Sequence, residues 1–152
     1  MNREYPVDIT TYHFPLQTPI QLRFSDLDPF QHVNNASQQQ FLDVGKEAYL
    51  RQIYRDKGLF FANDVTFILA SYTVDFLCQI TIDKNVAVCS SIYHVGNKSI
   101  RMIQKLIDAD TNEIFTIGQS VMACVDLASR RPIPIPEEWR KLIEELEGSW
   151  KL

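Results

Sequence analysis

Residues 65–126 read VTFILASYTVDFLCQITIDKNVAVCSSIYHVGNKSIRMIQKLIDADTNEIFTIGQSVMACVD, and the places where this run breaks decide the fold. Four segments rich in β-branched and aromatic residues, Val65 to Ile82, Val86 to Val95, Ser99 to Asp108 and Ile114 to Asp126, favour extended chain. The breaks IDKN, VGNK and ADTNE supply the Gly, Asn and Asp that let a backbone reverse. Short reversals predict antiparallel neighbours, in a meander or near-meander. Upstream, Phe41, Val44, Gly45, Ala48, Tyr49 and Ile53 recur at spacings of three and four, the apolar stripe of an amphipathic helix. Asn34 or Asn35 is its natural cap, and Gly58, with Arg55 and Lys57 beside it, suits its close. Before the helix, PIQLRFSD (Pro19 to Asp26) alternates Ile20, Leu22 and Phe24 with Gln21, Arg23 and Ser25, the pattern of a half-buried strand. After the strands, RRPIPIPEEW places Pro132, Pro134 and Pro136 at every second position of an extended stretch. Trp139, Leu142, Ile143 and Leu146 then mark a short helix, with Pro136, Glu137 and Glu138 suited to its start.

One strand, one long helix and a run of antiparallel strands is an α+β order, not the strand-helix alternation of a parallel sheet. The economical way to bury both apolar faces is an antiparallel sheet of about five strands wrapped around the long helix, followed by the short C-terminal helix. The 152 residues are expected to form a single domain, 1–152, with one sizeable core. Fifteen Lys and Arg against 19 Asp and Glu give a net charge of −4, the wrong sign for a general nucleic-acid binder, so no nucleic-acid partner is expected. Cys78, Cys89 and Cys124 are odd in number and form no C-x-x-C, so they are read as small core residues. The longest nearly apolar stretch, VTFILASYTV, falls short of the roughly 18 residues of a membrane span, and no signal-peptide core precedes it. A cytoplasmic location with no membrane partner is the expectation.

The chemistry concentrates in RFSDLDPFQHVNN, Arg23 to Asn35, between the first strand and the helix. Asp26, Asp28, His32, Asn34 and Asn35 fall within one loop and the first helical turn. Free backbone N–H groups and the positive end of the helix dipole make that turn a site for a carboxylate or a developing oxyanion. Taken by themselves, Asp26 reads as structural, Asp28 as either a cap or a reactive carboxylate, and Asn34 and Asn35 as turn and cap residues. His32 reads equally as an acid-base group or a loop-orienting one.

DLDPFQHVNN followed by an amphipathic helix resembles the D-x-D-x-x-G/Q-H-V-N-N signature of hot-dog-fold thioesterases, specifically the 4-hydroxybenzoyl-CoA thioesterase group. It is also similar to the first module of the plant acyl-ACP thioesterases. VGNKS, Val95 to Ser99, resembles the family's G-x-x-S turn, and VDLASRRPIPIPEEW its usual ending. The resemblance implies a hot-dog fold and a thioesterase hydrolysing an acyl-CoA, or an acyl-carrier-protein thioester, to free acid and thiol. It implies Asp28 as nucleophile or general base, His32 as a second catalytic residue, and Lys98 with Ser99 near CoA phosphates. No metal and no organic cofactor is implied. Two positions depart from the pattern: Phe30 stands where the acyl-ACP enzymes carry Asn, and Gln38 where Tyr is common. Phe30 cannot hydrogen-bond, which moves the reading toward the CoA type and suggests an apolar wall against the ligand. Asn34, Asn35 and Gln38 join it as candidate substrate-binding residues. The rival reading is a non-catalytic acyl-CoA-binding or regulatory hot-dog protein. One sheet around one helix leaves an edge strand for a partner to cover, so a homodimer or a dimer of dimers is expected, and the resemblance places active sites at the dimer interface.

Overall fold

The three segments punctuated by VGNK and ADTNE become strands at the expected boundaries in a computed structural model that describes residues 3–54 and 64–148. In chain order the elements are β1 (Leu16–Pro19), α1 (Asn35–Tyr54), β2 (Val65–Phe76), β3 (Val86–Val95), β4 (Ser99–Asp108), β5 (Ile114–Asp126), β6 (Arg131–Pro132) and α2 (Glu137–Glu147). They build one six-stranded antiparallel sheet in the order β1-β3-β4-β5-β2, with β6 beside β5. The long helix α1 lies against β3 and β4, the α+β arrangement that the order of elements predicts. About five strands were expected. The sixth, β6, is the start of the proline-rich stretch, and it stops after Ile133 donates to the Cys124 carbonyl at 2.9 Å because from Ala123 onward that edge of β5 is occupied by β4, so the next N–H, of Ile135, turns to the Asn97 carbonyl.

Two strands differ from expectation in their bounds, and each ends for want of a partner. The first strand lies at Leu16–Pro19, not Pro19–Asp26. β3 begins at Val86, whose carbonyl accepts the Ile20 N–H, and beyond it β1 has nothing to pair with. The alternation of Ile20 and Leu22 is still used, because both pack into the core, whereas Phe24 is 87% exposed. β2 ends at Phe76, six residues before the expected Ile82, because its partner β5 reaches only to Ile114. The meander holds for β3, β4 and β5, but β2 sits on the far side of β5. The chain after Phe76 must therefore cross the end of the sheet to reach β3, and that crossing forms part of the site.

In α1 the buried face comprises Phe41, Leu42, Gly45, Lys46, Tyr49, Leu50 and Ile53 among others, while Val44 points outward. The expected close at Gly58 with Arg55 and Lys57 lies outside the described residues. Gly45 is required by the approach of helix to sheet: a Cβ there would stand 2.3 Å from a methyl of Val88. In α2, Trp139 and Ile143 are buried and Pro136 is the N-cap residue, as the pattern predicts. Cys89 and Cys124 are buried, but Cys78 is exposed, because it follows the last paired residue of β2 and leaves the core.

Candidate active site

Asp26 anchors the loop from Arg23 to Asn35. Its carboxylate, 1% exposed, accepts hydrogen bonds from the Arg23 backbone N–H and Nη2, both at 2.8 Å, and its carbonyl accepts the Asn34 N–H at 2.9 Å. The side-chain hydrogen bond from Arg23 holds the Asp26 carboxyl below the usual range against the opposing effect of burial, with further help from the Arg23 backbone and Ser37. A bridge between Leu27 and Val33 then closes a small loop that carries Asp28.

Asp28 is held by backbone alone. Its N–H donates to the His32 carbonyl at 2.8 Å, its carbonyl accepts the Gln31 N–H at 2.9 Å, and its Oδ1 accepts the N–H groups of Phe30 at 2.9 Å and His32 at 3.2 Å. Gln31 takes a φ of 63° to make the reversal. Oδ2 of Asp28 has no partner among the described residues. One residue beyond the loop, the Asn34 side chain caps α1 by accepting the Ser37 N–H at 2.8 Å, which settles the choice between the two asparagines. The amides of Asn35 and Ala36, at the positive end of a 20-residue helix, are then donors without an acceptor among the described residues.

The Val33 N–H donates to the Ile80 carbonyl at 2.8 Å, which brings the crossing segment after β2 against the loop. Between them opens a cavity of about 430 Å³. Asp28, Phe30, His32, Asn35 and Gln38 line one side, and Phe76, Leu77, Cys78 and Gln79 face them. Five of the expected site residues therefore share one wall. Phe30, 80% exposed, stands at the rim, and the His32 imidazole has no hydrogen-bond partner among the described residues. Gln38 is buried, with its amide committed to the Val33 carbonyl at 3.1 Å and to the Thr116 hydroxyl, so it braces the wall.

Asn34 does not line the cavity, and neither do Lys98 and Ser99. The last two lie in the turn where β4 begins, while the cavity lies by Phe76, whose row of the sheet runs through Thr116 and Leu106. Leu106 lies seven steps along β4 from Ser99, roughly 24 Å at about 3.4 Å each. Missed by the sequence were Phe76, Leu77, Cys78 and Gln79, which carry no local signal beyond that of a strand. Among the described residues no three His, Cys, Asp or Glu side chains converge as a metal site.

Residues 22–143 match the thioesterase-like superfamily. The crystal structure of a thioesterase complexed with coenzyme A and Zn from Thermus thermophilus aligns with a TM-score of 0.75 at 30% identity, covering 89% of this chain and 96% of that one. The PA5185 protein from Pseudomonas aeruginosa strain PAO1 aligns with a TM-score of 0.78 at 26% identity, covering 90% and 94%. The long-chain acyl-CoA thioesterase FadM of Escherichia coli (strain K12) is 21% identical over 131 residues, 86% of this chain and 98% of FadM. The family match begins just before the Asp28 loop and ends inside α2, and the chain belongs to the thioesterase-like superfamily.

Proposed function

We propose that this protein hydrolyses an acyl-CoA thioester to the free acid and coenzyme A, with Asp28 as nucleophile or general base. The observation that carries the reading is that Asp28, whose Oδ2 is uncommitted, and Asn35, whose amide opens the start of α1, line the same cavity. As general base, Asp28 takes a proton from water while the new hydroxide adds to the thioester carbonyl. The oxyanion is stabilised by the Asn35 and Ala36 N–H groups, and its collapse expels the CoA thiolate, which takes up the proton. As nucleophile, Oδ2 attacks the carbonyl to give a mixed anhydride and CoA thiolate, and water then cleaves the anhydride and restores Asp28. The His32 imidazole on the same wall suits proton delivery to the departing sulfur. Relatives named as acyl-CoA thioesterases support CoA over a carrier protein as the thiol. Thiol release from a panel of acyl-CoA and acyl-carrier-protein substrates tests the reading; binding of a non-hydrolysable acyl-CoA analogue with no turnover of any thioester would replace it with the ligand-binding one.

Phe30 at the rim is proposed as an apolar contact for bound substrate. Phe30→Ala is expected to raise KM by about three- to tenfold with kcat within about twofold, the pattern of lost uniform binding. A collapse of kcat at unchanged KM would refute that role.

The assembly belongs to the same proposal. β2 is an edge strand of twelve residues whose Ile68 is 47% and Leu69 45% exposed, an open ladder that a second copy can cover. Pairing two β2 strands antiparallel about a two-fold axis sets the Val65 end of one beside the Phe76 end of the other. That brings the partner subunit's Lys98 and the partner subunit's Ser99 to the cavity end of the first, where CoA phosphates would lie. Sedimentation at micromolar concentration should give the dimer mass, and a fully active monomer would overturn the shared site. A reducing, intracellular location is also part of the proposal, supported by the free thiols of Cys78, Cys89 and Cys124. Among the described residues no helix is long and apolar enough to cross a membrane.

A further inference from the structure

The face of the sheet turned away from α1 is covered by the N-terminal segment, residues 3–14, which lies outside the span of the family match. Phe14 packs toward Ala87 and Cys89 of β3, and Ile9 against Ile103 of β4 and Ile117 of β5. The Lys105 ammonium donates to the Ile9 carbonyl at 3.0 Å and lies 4.7 Å from the centre of the Phe14 ring. Cys89, Lys105, Ile117 and Asp75 stand opposite one another across β3, β4, β5 and β2, so the segment traverses the sheet along one cross-strand row. At its far end Tyr5 donates its hydroxyl to Oδ2 of Asp75 at 3.1 Å, and Arg3 pairs with Oδ1 of the same carboxylate.

Asp75 is the residue before Phe76, where the cavity wall begins. Past Phe76 that wall has few ties. Leu77 and Cys78 both donate to one acceptor, the Phe115 carbonyl, at 2.8 and 3.1 Å, and the next anchor is Ile80. The geometry points to residues 3–14 as a strap that positions the wall from Phe76 to Gln79 through Asp75, with Tyr5 and Arg3 as positioning residues for substrate binding. The inference rests on the proposed hydrolase reading for its kinetic consequence but not for its structural one. A ladder at the end of an edge strand opens more readily than one in the middle of a sheet. A strap fixed to the central strands and gripping the last residues of β2 opposes that opening, so the four wall residues keep the shape that receives the acyl chain.

The test combines Tyr5→Phe with Arg3→Ala in the full chain and measures amide hydrogen exchange together with thioester kinetics. Exchange at Leu77 and Cys78 should rise by about tenfold or more while β3 and β4 amides stay unchanged. KM should rise by about three- to tenfold with kcat within about twofold, because Asp28 and the start of α1 are untouched. Asp75→Asn, which keeps an acceptor for Tyr5 and removes the ion pair, should give a smaller rise at the same amides. Unchanged exchange at Leu77 and Cys78 would overturn the strap, as would an increase spread evenly over the sheet, and a local increase with unchanged KM would overturn its role in substrate binding. Absence of thiol release from the parent chain would refute the hydrolase reading alone, since the exchange result decides by itself whether the strap holds the wall.

Discussion

Asp28→Asn is expected to lower kcat for acyl-CoA hydrolysis by at least about a hundredfold, on the scale of one acid-base group. The structure makes this a clean substitution. Oδ1 of Asp28 accepts the Phe30 and His32 amides, and an asparagine carbonyl can accept both of those bonds. What the substitution removes is Oδ2, the oxygen with no partner among the described residues, replacing it with an amide that neither attacks a carbonyl nor accepts a proton. Analogue binding should survive, and stability should move by less than about 1 kcal/mol, since the loop bonds persist. Hydrolysis by the variant at more than about a third of the parent rate would show that Asp28 is a structural residue. Intact analogue binding with no turnover by either form would favour a ligand-binding protein.

Glu147→Ala is expected to cost about 2–4 kcal/mol of folding stability, far more than an ordinary surface glutamate. Glu147 is 2% exposed near the end of α2. One carboxylate oxygen accepts the Tyr49 hydroxyl and the Ile92 N–H at 2.7 Å, and the other accepts the Ser91 hydroxyl at 2.8 Å. The Ile92 amide needs this acceptor because β1 covers β3 only up to Ser90, opposite Leu16. Burial, reinforced by the charge of Glu147, pushes the Tyr49 phenol up, so Tyr49 remains a donor. Removing the carboxylate leaves the Tyr49 hydroxyl and the Ile92 N–H facing a cavity, while Ser91 keeps its hydrogen bond with the Tyr12 hydroxyl, and α2 loses its fastening to α1 and β3. Thermal unfolding should show a fall of roughly 5–15 °C for a chain of this size, with Glu147→Gln, which keeps one acceptor oxygen, falling less. A change no larger than that of the exposed Glu144→Ala would refute the fastening.

Of the site, the side carried by one continuous stretch was legible in the sequence. DLDPFQHVNN is local: a turn, a cap and a helix start within ten residues fix where Asp28, His32 and Asn35 stand relative to one another. Gln38 was legible as a neighbour but not as a brace, because its partner Thr116 lies 78 residues away. The opposite side was not legible. Phe76 to Gln79 become a wall only because β5 runs out at Ile114 and the chain must cross the sheet to reach β3. Glu147 read as one more charge in EELE, since nothing nearby in sequence reveals an unpaired amide on the edge of β3.

The sequence by itself determined the elements whose causes are short-range: α1 from its asparagine cap and apolar stripe, and β3, β4 and β5 from β-branched runs between Gly, Asn and Asp turns. It also determined the Asp28 loop, because backbone hydrogen bonds within five residues hold it. Only the tertiary structure decided where β1 and β2 stop, that β2 lies beyond β5, and that Cys78 faces the cavity instead of the core. A strand ends where its neighbour can no longer accept its hydrogen bonds, and that neighbour is chosen by packing between residues far apart in the chain.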